Sequence, residues 1–369
     1  NNSCGVHSIM AGKTVDNIIT MDVVTYDGIR LTVGETTEEE LTEFCSRKDR
    51  VGEIYRAMRD IRDSSSENIK AIYPDIPRRV SGYNLDQLLP KNKFNVARAL
   101  VGSEGTLITV LEAKVRLVHS PPARTLVIMG YPDVYQAGDH VPEVLATGPI
   151  GLEGIDDQLV GFMKKKGMYV QYLHMLPKGA GWLLVEFGGK DKEESDAKAR
   201  KCIETLSKKE DAPNMKLYDN EEAEKEIWAM RGAGLGATAN VPGMPPSWTG
   251  WEDAAVDPTK VGKYLRDFRD LLNKYNYTAS LYGHFGDGCI HCRISFDLFT
   301  KEGVANYTSF TSDAADLVVK YGGSLSGEHG DGQSKAMFLP KMFGEEIVEM
   351  FRKMKHAWDP AWKMNPGKI

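Results

Sequence analysis

The chain is short of cysteine. Five cysteines in 369 residues, an odd number, cannot all pair, which argues against a disulfide framework. They point to a reducing compartment, and the expected localisation is the cytoplasm. Excess positive charge is lacking too: 46 Lys and Arg against 52 Asp and Glu leave a net charge of −6. With no basic stripe in any segment, nucleic acid is not an expected partner. No apolar run reaches the ~20 residues of a membrane span. The polar opening Asn1-Asn2-Ser3-Cys4-Gly5 has no initiator methionine and does not read as a signal peptide. Internal repeats and low-complexity tracts are absent as well. What is present is an ordinary globular composition, 41% hydrophobic and 27% charged, in a length that suits two domains.

Local patterns divide the chain at Pro121-Pro122. Before it, two strands, Asn17 to Tyr26 and Ile29 to Val33, meet at the tight-turn pair Asp27-Gly28. The stretch Thr36 to Cys45 reads only as acidic and polar. Val51, Ile54, Met58 and Ile61 make Arg50 to Ser64 a helix, and a strand runs on from Thr106. After the prolines, strands (Thr125 to Gly130, Trp182 to Phe187) alternate with helices (Val134 to Leu145, Lys190 to Lys208). The second helix offers Ala197, Cys202, Ile203 and Leu206 as its apolar side. Asp257-Pro258 opens another helix, with Val261, Tyr264, Leu265, Phe268, Leu271 and Leu272 as its buried stripe. Ser312 to Tyr321 and Glu345 to Trp358 are the last two. This order predicts an α+β unit with one antiparallel sheet covered by helices.

Three of the eight histidines fall in two short glycine-flanked segments, Gly283-His284-Phe285-Gly286-Asp287-Gly288-Cys289-Ile290-His291 and Ser326-Gly327-Glu328-His329-Gly330. The first is a hairpin: Ala279 to His284 as one strand, a turn at Asp287-Gly288, and Cys289 to Phe296 as the return. Alternation puts Cys289, His291, Arg293 and Ser295 on one face and Ile290, Cys292, Ile294 and Phe296 on the core face. His284, beside the turn, reaches the His291 side. Two imidazoles from a hairpin plus a carboxylate from elsewhere make a first-row metal site, with Glu328 as the carboxylate. Zinc and manganese both suit this set. In an extended segment, adjacent Glu328 and His329 would point apart unless Gly327 and Gly330 bend the loop. His329 is then free to act as acid or base. Cys289-x-x-Cys292 has a redox spacing, but alternation separates its thiols, so the spacing is read as coincidence.

GHFGDGCIH followed by SGEHGDG resembles the C-terminal part of the FAD-linked oxidases of the vanillyl-alcohol-oxidase superfamily, in its D-2-hydroxyacid dehydrogenase branch. NNSCG, GYNL (Gly82 to Leu85) and GSEGTL (Gly102 to Leu107) resemble the loops with which that family meets its flavin. The resemblance implies a partial FAD-binding domain of the PCMH type over 1–122, a cap or substrate domain over 123–344, and a helix and closing strand over 345–369 that return to the flavin side. It implies flavin contacts at Asn2, Ser3, Gly5, His7, Gly82, Tyr83, Gly102, Ser103, Gly105, Thr106 and Asn365. It also implies that Arg231 clamps the substrate carboxylate. The run Gly232-Ala233-Gly234-Leu235-Gly236 mimics a dinucleotide fingerprint, but it follows a helix rather than a strand and fails that test. The implied reaction is metal-assisted oxidation of a D-2-hydroxy acid, of the D-2-hydroxyglutarate or D-lactate type, to the 2-oxo acid. Electrons would leave through an acceptor or iron–sulfur domain outside these residues. Three departures stand out. The family's first flavin subdomain is expected before Asn1, so the chain reads as a fragment. If that subdomain is needed, the fragment is a metal-binding cap without turnover, and a homo-oligomer or another chain could cover its flavin side. Trp251 stands where relatives specific for a dicarboxylate often carry lysine, and Cys289 where asparagine is common.

Overall fold

The computed structural model describes residues 2–368. Among these described residues, ten strands pair antiparallel, in two sheets. The smaller, of order β2-β1-β3, joins β1 (Ile18–Val24), β2 (Arg30–Val33) and β3 (Thr109–Val115). The larger has the order β7-β4-β6-β5-β9-β10-β8, from β4 (Ala123–Tyr131), β5 (Gly151–Asp156), β6 (Gly181–Gly189), β7 (Asn214–Tyr218), β8 (Ala254–Ala255), β9 (Ala279–Gly283) and β10 (Cys289–Ile294). The chain passes from the small sheet to the large one between Val115 and Ala123, across Pro121-Pro122.

The large sheet is covered on both faces, which is why its strands read as nearly continuous apolar runs. Leu183, Val185 and Phe187 of β6 face one layer, with the helices Lys192–Leu206 and Val261–Lys274. Leu184 and Trp182 face the other, with Asp157–Lys166 and Glu221–Gly232. Gly154 of β5 allows the hairpin tip to lie on the sheet, because a Cβ there would come within 2.2 Å of the Phe285 ring. That contact brings His284 over β5. On the small-sheet side, helix Arg50–Ile72, capped by Asp49, packs against the final helix Leu339–Trp358.

Several elements differ from the sequence reading. Glu38–Ser46 is a helix, started by a capping box between Thr37 and Glu40. The helix placed at Ser312 starts at Lys301. The buried side of Lys192–Leu206 is Ser195, Ala199, Cys202 and Leu206, and Ala197 is exposed. The closing strand expected over 363–369 is not a strand in its described part: Trp362 and Asn365 have φ of 53° and 37°, and the Asp359 carboxylate folds the tail back by accepting from Met364 N. Asn1 and Ile369 lie outside the described residues.

Candidate functional site

β9 and β10 pair as an antiparallel hairpin, with His291 opposite Tyr282. Because β10 lies inside the sheet, both of its faces are buried, and His291 is covered rather than turned to solvent. A single 3-10 turn, Phe285–Asp287, joins the strands and sets His284 beside His291, ring centroids 5.1 Å apart. The Nε2 atoms of His284 and His291 lie 3.2 and 3.1 Å from the same oxygen, Glu328 Oε1. Burial alone would raise the Glu328 carboxyl, but hydrogen bonds from both imidazoles and the charge of Arg78 outweigh it and hold the group far below the carboxylate range. Burial lowers the His291 imidazole. Burial would also lower His284, but the Glu153 carboxylate raises it.

The Glu328 loop is bent, not extended. Asp253, fully buried just before β8, accepts from the backbone N–H of Gly327, Glu328 and His329, and from the Ser326 hydroxyl. Gly330, at φ 91°, completes the turn. Adjacent Glu328 and His329 therefore converge: His329 stacks on His291 at 5.2 Å, with its Nε2 3.6 Å from Glu328 Oε1. Its Nδ1 lies 3.1 Å from Glu252 Oε1, and that hydrogen bond raises the imidazole. His329 is exposed, whereas His284, His291 and Glu328 are buried beneath it.

The donor set fits a divalent cation in kind: two imidazole nitrogens that approach one carboxylate oxygen. Another grouping, Asp253, His291, Glu328 and His329, brings its donor atoms within 4.8 Å of one another. Asp253 is the weaker ligand candidate, because both of its oxygens are already engaged by the loop and by Cys289 Sγ. Cys289, on the His291 face, is thus tied to Asp253. Cys292 Sγ turns to the Trp251 carbonyl instead. Trp251 itself is core, with the Lys335 ammonium 5.5 Å from its ring.

Two charged residues complete the cluster and were not singled out from sequence. Glu153, fully buried in β5, accepts from His284 Nδ1 at 2.6 Å and from Arg231 Nε at 2.9 Å. Arg231, at the end of helix Glu221–Gly232, also lies over the Tyr282 ring. Arg78, with no exposed surface, donates to Glu328 Oε2 at 2.7 Å and to Asp287. The available signal was weak: carboxylates inside the strand Gly-Leu-Glu-Gly-Ile-Asp, and an arginine pair just before Gly82-Tyr83.

The residues assigned to flavin contact divide into three groups. Asn2, Gly102 and Asn365 come together: a Cβ on Gly102 would lie 3.2 Å from that of Asn2, and Asn365 Nδ2 donates to the Glu104 carbonyl. Glu104, between Ser103 and Gly105, accepts from Asp331 N and Gly332 N, so this loop touches the Glu328 loop directly. Gly82 N donates to Asp331. Tyr83 and Thr106 instead bond each other, 2.7 Å apart, in the core. His7 is drawn to the large sheet, 2.6 Å from Glu186 of β6, while Ser3 and Gly5 lie on the exposed loop between. Asn2 Nδ2 and Asp331 Oδ1 are buried without a hydrogen-bond partner, which suits a polar group seated at this junction.

Residues 120–369 match the family described as FAD linked oxidases, C-terminal domain. D-2-hydroxyglutarate dehydrogenase of Pseudomonas putida is 30% identical over 373 residues, 99% of this chain and 37% of that protein. Glycolate oxidase subunit GlcD of Bacillus subtilis is 29% identical over 75% of this chain and 57% of its own length. The chain thus spans little more than a third of the length of the D-2-hydroxyglutarate dehydrogenases it matches. Among solved structures, alkyldihydroxyacetonephosphate synthase shares the fold, with a TM-score of 0.51 at 17% identity over 99% of this chain and 56% of that one. No helix among the described residues is long and apolar enough to cross a membrane.

Proposed function

We propose, on the premise that this chain belongs to the family of FAD-linked oxidases, that it is the cap and part of the flavin side of a D-2-hydroxyacid dehydrogenase. The observation that carries the reading is the convergence of His284, His291 and Glu328 beneath an exposed imidazole, His329, held from behind by Glu252. Residues 1–122 and 345–369 are assigned to the flavin side, and 123–344 to the cap.

His284 Nε2, His291 Nε2 and Glu328 Oε1 would hold the cation, zinc or manganese, which supplies Lewis acidity toward a 2-hydroxyl. The loops around Asn2, Gly82, Gly102 and Asn365 would hold FAD, which accepts a hydride when bound. Arg231 faces the substrate carboxylate with whatever edge of its guanidinium Glu153 does not take. The Glu252 contact leaves His329 Nε2 to receive the hydroxyl proton, a role typically worth ~10²- to 10⁴-fold in rate. The electron acceptor lies outside these residues.

Flavin bleaching by D-2-hydroxyglutarate or D-lactate in the FAD-loaded protein tests the reading, with metal content measured alongside. His329→Ala should slow bleaching and leave the metal nearly intact. Glu328→Gln should lose metal and bleaching together, and His284→Ala with His291→Ala should remove the metal altogether. If His329→Ala strips the metal while Glu328→Gln keeps it, the roles are reversed and the reading fails. A second reading, a metal-binding cap that turns over only when the rest of a flavin domain is supplied, is favoured by the exposure of β3. Absence of flavin absorbance in the purified chain would select it.

A further inference from the structure

We propose that Arg78 is a positioning residue that couples the cation centre to the N-terminal loop, so that cation binding at His284, His291 and Glu328 tightens residues 3–12. The inference rests on the ligand assignment above.

Arg78 comes from the irregular segment between helix Arg50–Ile72 and Gly82, and it is completely buried. Its planar fork reaches three separate parts of the chain. Nη1 donates to Glu328 Oε2 at 2.7 Å, and Nε donates to Asp287 Oδ2 at 3.2 Å, at the hairpin tip. Nη2 donates to the Gly5 carbonyl at 2.7 Å and to the Ser8 hydroxyl at 2.5 Å. Ser8 in turn donates to Asp287, closing the ring.

The division of Glu328 is the decisive feature. One oxygen is taken by Arg78, with the Cys4 thiol donating to it at a longer 3.8 Å, and the other is the one both imidazoles approach. A guanidinium fixed at two edges leaves that carboxylate little freedom to rotate, so Arg78 selects the oxygen presented to a cation. The Arg78 charge is balanced by Glu328 and Asp287, so it does not stand as an uncompensated repulsion at the site. The same guanidinium holds Gly5 and Ser8, so any shift of Glu328 on binding is transmitted to the loop. Coupling of this kind is reciprocal: a loop held in place by its own ligand would raise cation affinity by the same factor. Lysine cannot substitute, because a point charge cannot span these directions together.

The test titrates manganese calorimetrically into the metal-free chain, as wild type, Arg78→Gln and Arg78→Lys. Hydrogen exchange of residues 3–12 is read without and with saturating manganese. In the wild type, manganese should slow exchange of residues 3–12. Both variants should bind manganese about 10- to 100-fold more weakly, the usual loss when a residue that orients a ligand is removed. Their residues 3–12 should exchange at a rate that responds much less to manganese, because only the long Cys4 contact to Glu328 remains. Wild-type binding with no change in residues 3–12 overturns the coupling, whatever the variants do. A folded Arg78→Lys with wild-type affinity and wild-type response overturns the role of Arg78. If Arg78→Gln fails to fold, Arg78→Lys and the wild-type exchange still decide. A wild type that binds no manganese, or binds it equally after His284→Ala and His291→Ala, overturns instead the ligand assignment and the inference with it.

Discussion

β6 and β3 are both rich in residues that favour strands, yet β6 is buried at all nine positions and β3 is exposed at all seven. β6 lies inside a sheet with a helical layer on each face. β3 is the edge of a three-stranded sheet, and Val110, Leu111 and Val115 are each about half exposed. The large sheet is covered by a packed layer on each face. The small sheet closes only one side: Ile18, Met21 and Val23 of β1 are buried, but β3 is uncovered. Three exposed apolar residues on one short strand are a surface that another element would cover. On the function proposed above, that cover is the remainder of a flavin domain. Of the proposed cation ligands, by contrast, His291 stands on a buried strand of the large sheet, His284 begins its hairpin turn, and Glu328 sits on a loop whose backbone is tied to buried Asp253.

The widest gap should appear in core substitutions. Leu183→Ala in β6 removes a fully buried side chain and should cost ~2–5 kcal/mol in chemical denaturation. Leu111→Ala in β3, 51% exposed, should stay within ~0.5 kcal/mol. Equal costs would show that β3 is covered in solution. If supplying the rest of a flavin domain raises the cost of Leu111→Ala, the identity of the cover is sharpened at the same time.

Hydrogen exchange asks the same question without mutation. Amides of the small sheet should open more easily than those of β4, β5 and β6, by about 2 kcal/mol or roughly 30-fold in rate. Equal protection in a monomer would remove the distinction between the two regions.

Legibility followed the same division. The hairpin of β9 and β10 was readable because alternation and a glycine turn are local signals, and His284 and His291 meet as that reading requires. Glu345, read as a helix start, directly follows the kink at Gly344, whose φ of 72° interrupts the longer helix. The first turns of Lys301–Lys320 were missed because they are mostly exposed and carry no apolar stripe. Glu38–Ser46 was missed although Thr37 and Glu40 spelled its cap. The convergence of Glu328 and His329 was not readable as a local pattern. It depends on Asp253, seventy-five residues away from Glu328, collecting three successive backbone N–H groups. Arg78 is hidden for the same reason: it lies 250 positions from Glu328, and no periodicity marks such a contact.

The last expected effect is a dependence of the large sheet on pH. Asp156 ends β5 and caps helix Asp157–Lys166, accepting from Leu159 N at 2.9 Å and from Leu281 N at 2.7 Å. Burial pushes its carboxyl from an ordinary 3.8 up to about 7, against those hydrogen bonds and the more distant Arg269. The folded chain therefore holds this proton more tightly than the unfolded chain does. The stability it contributes is complete below about 3.8 and is lost as pH rises through about 7. Asp156→Asn cannot titrate, and asparagine still accepts at a helix cap. The mutant should differ from wild type by a stability gap that changes by no more than ~1.4 kcal/mol per pH unit across this window. Carboxylates held below their ordinary range, such as Glu328, work in the opposite sense, but they are common to both proteins and cancel in the difference. Urea denaturation at pH 5 and pH 8 measures it. A gap that is the same at both values would mean that Asp156 is ionised throughout, and that its two backbone donors outweigh its burial.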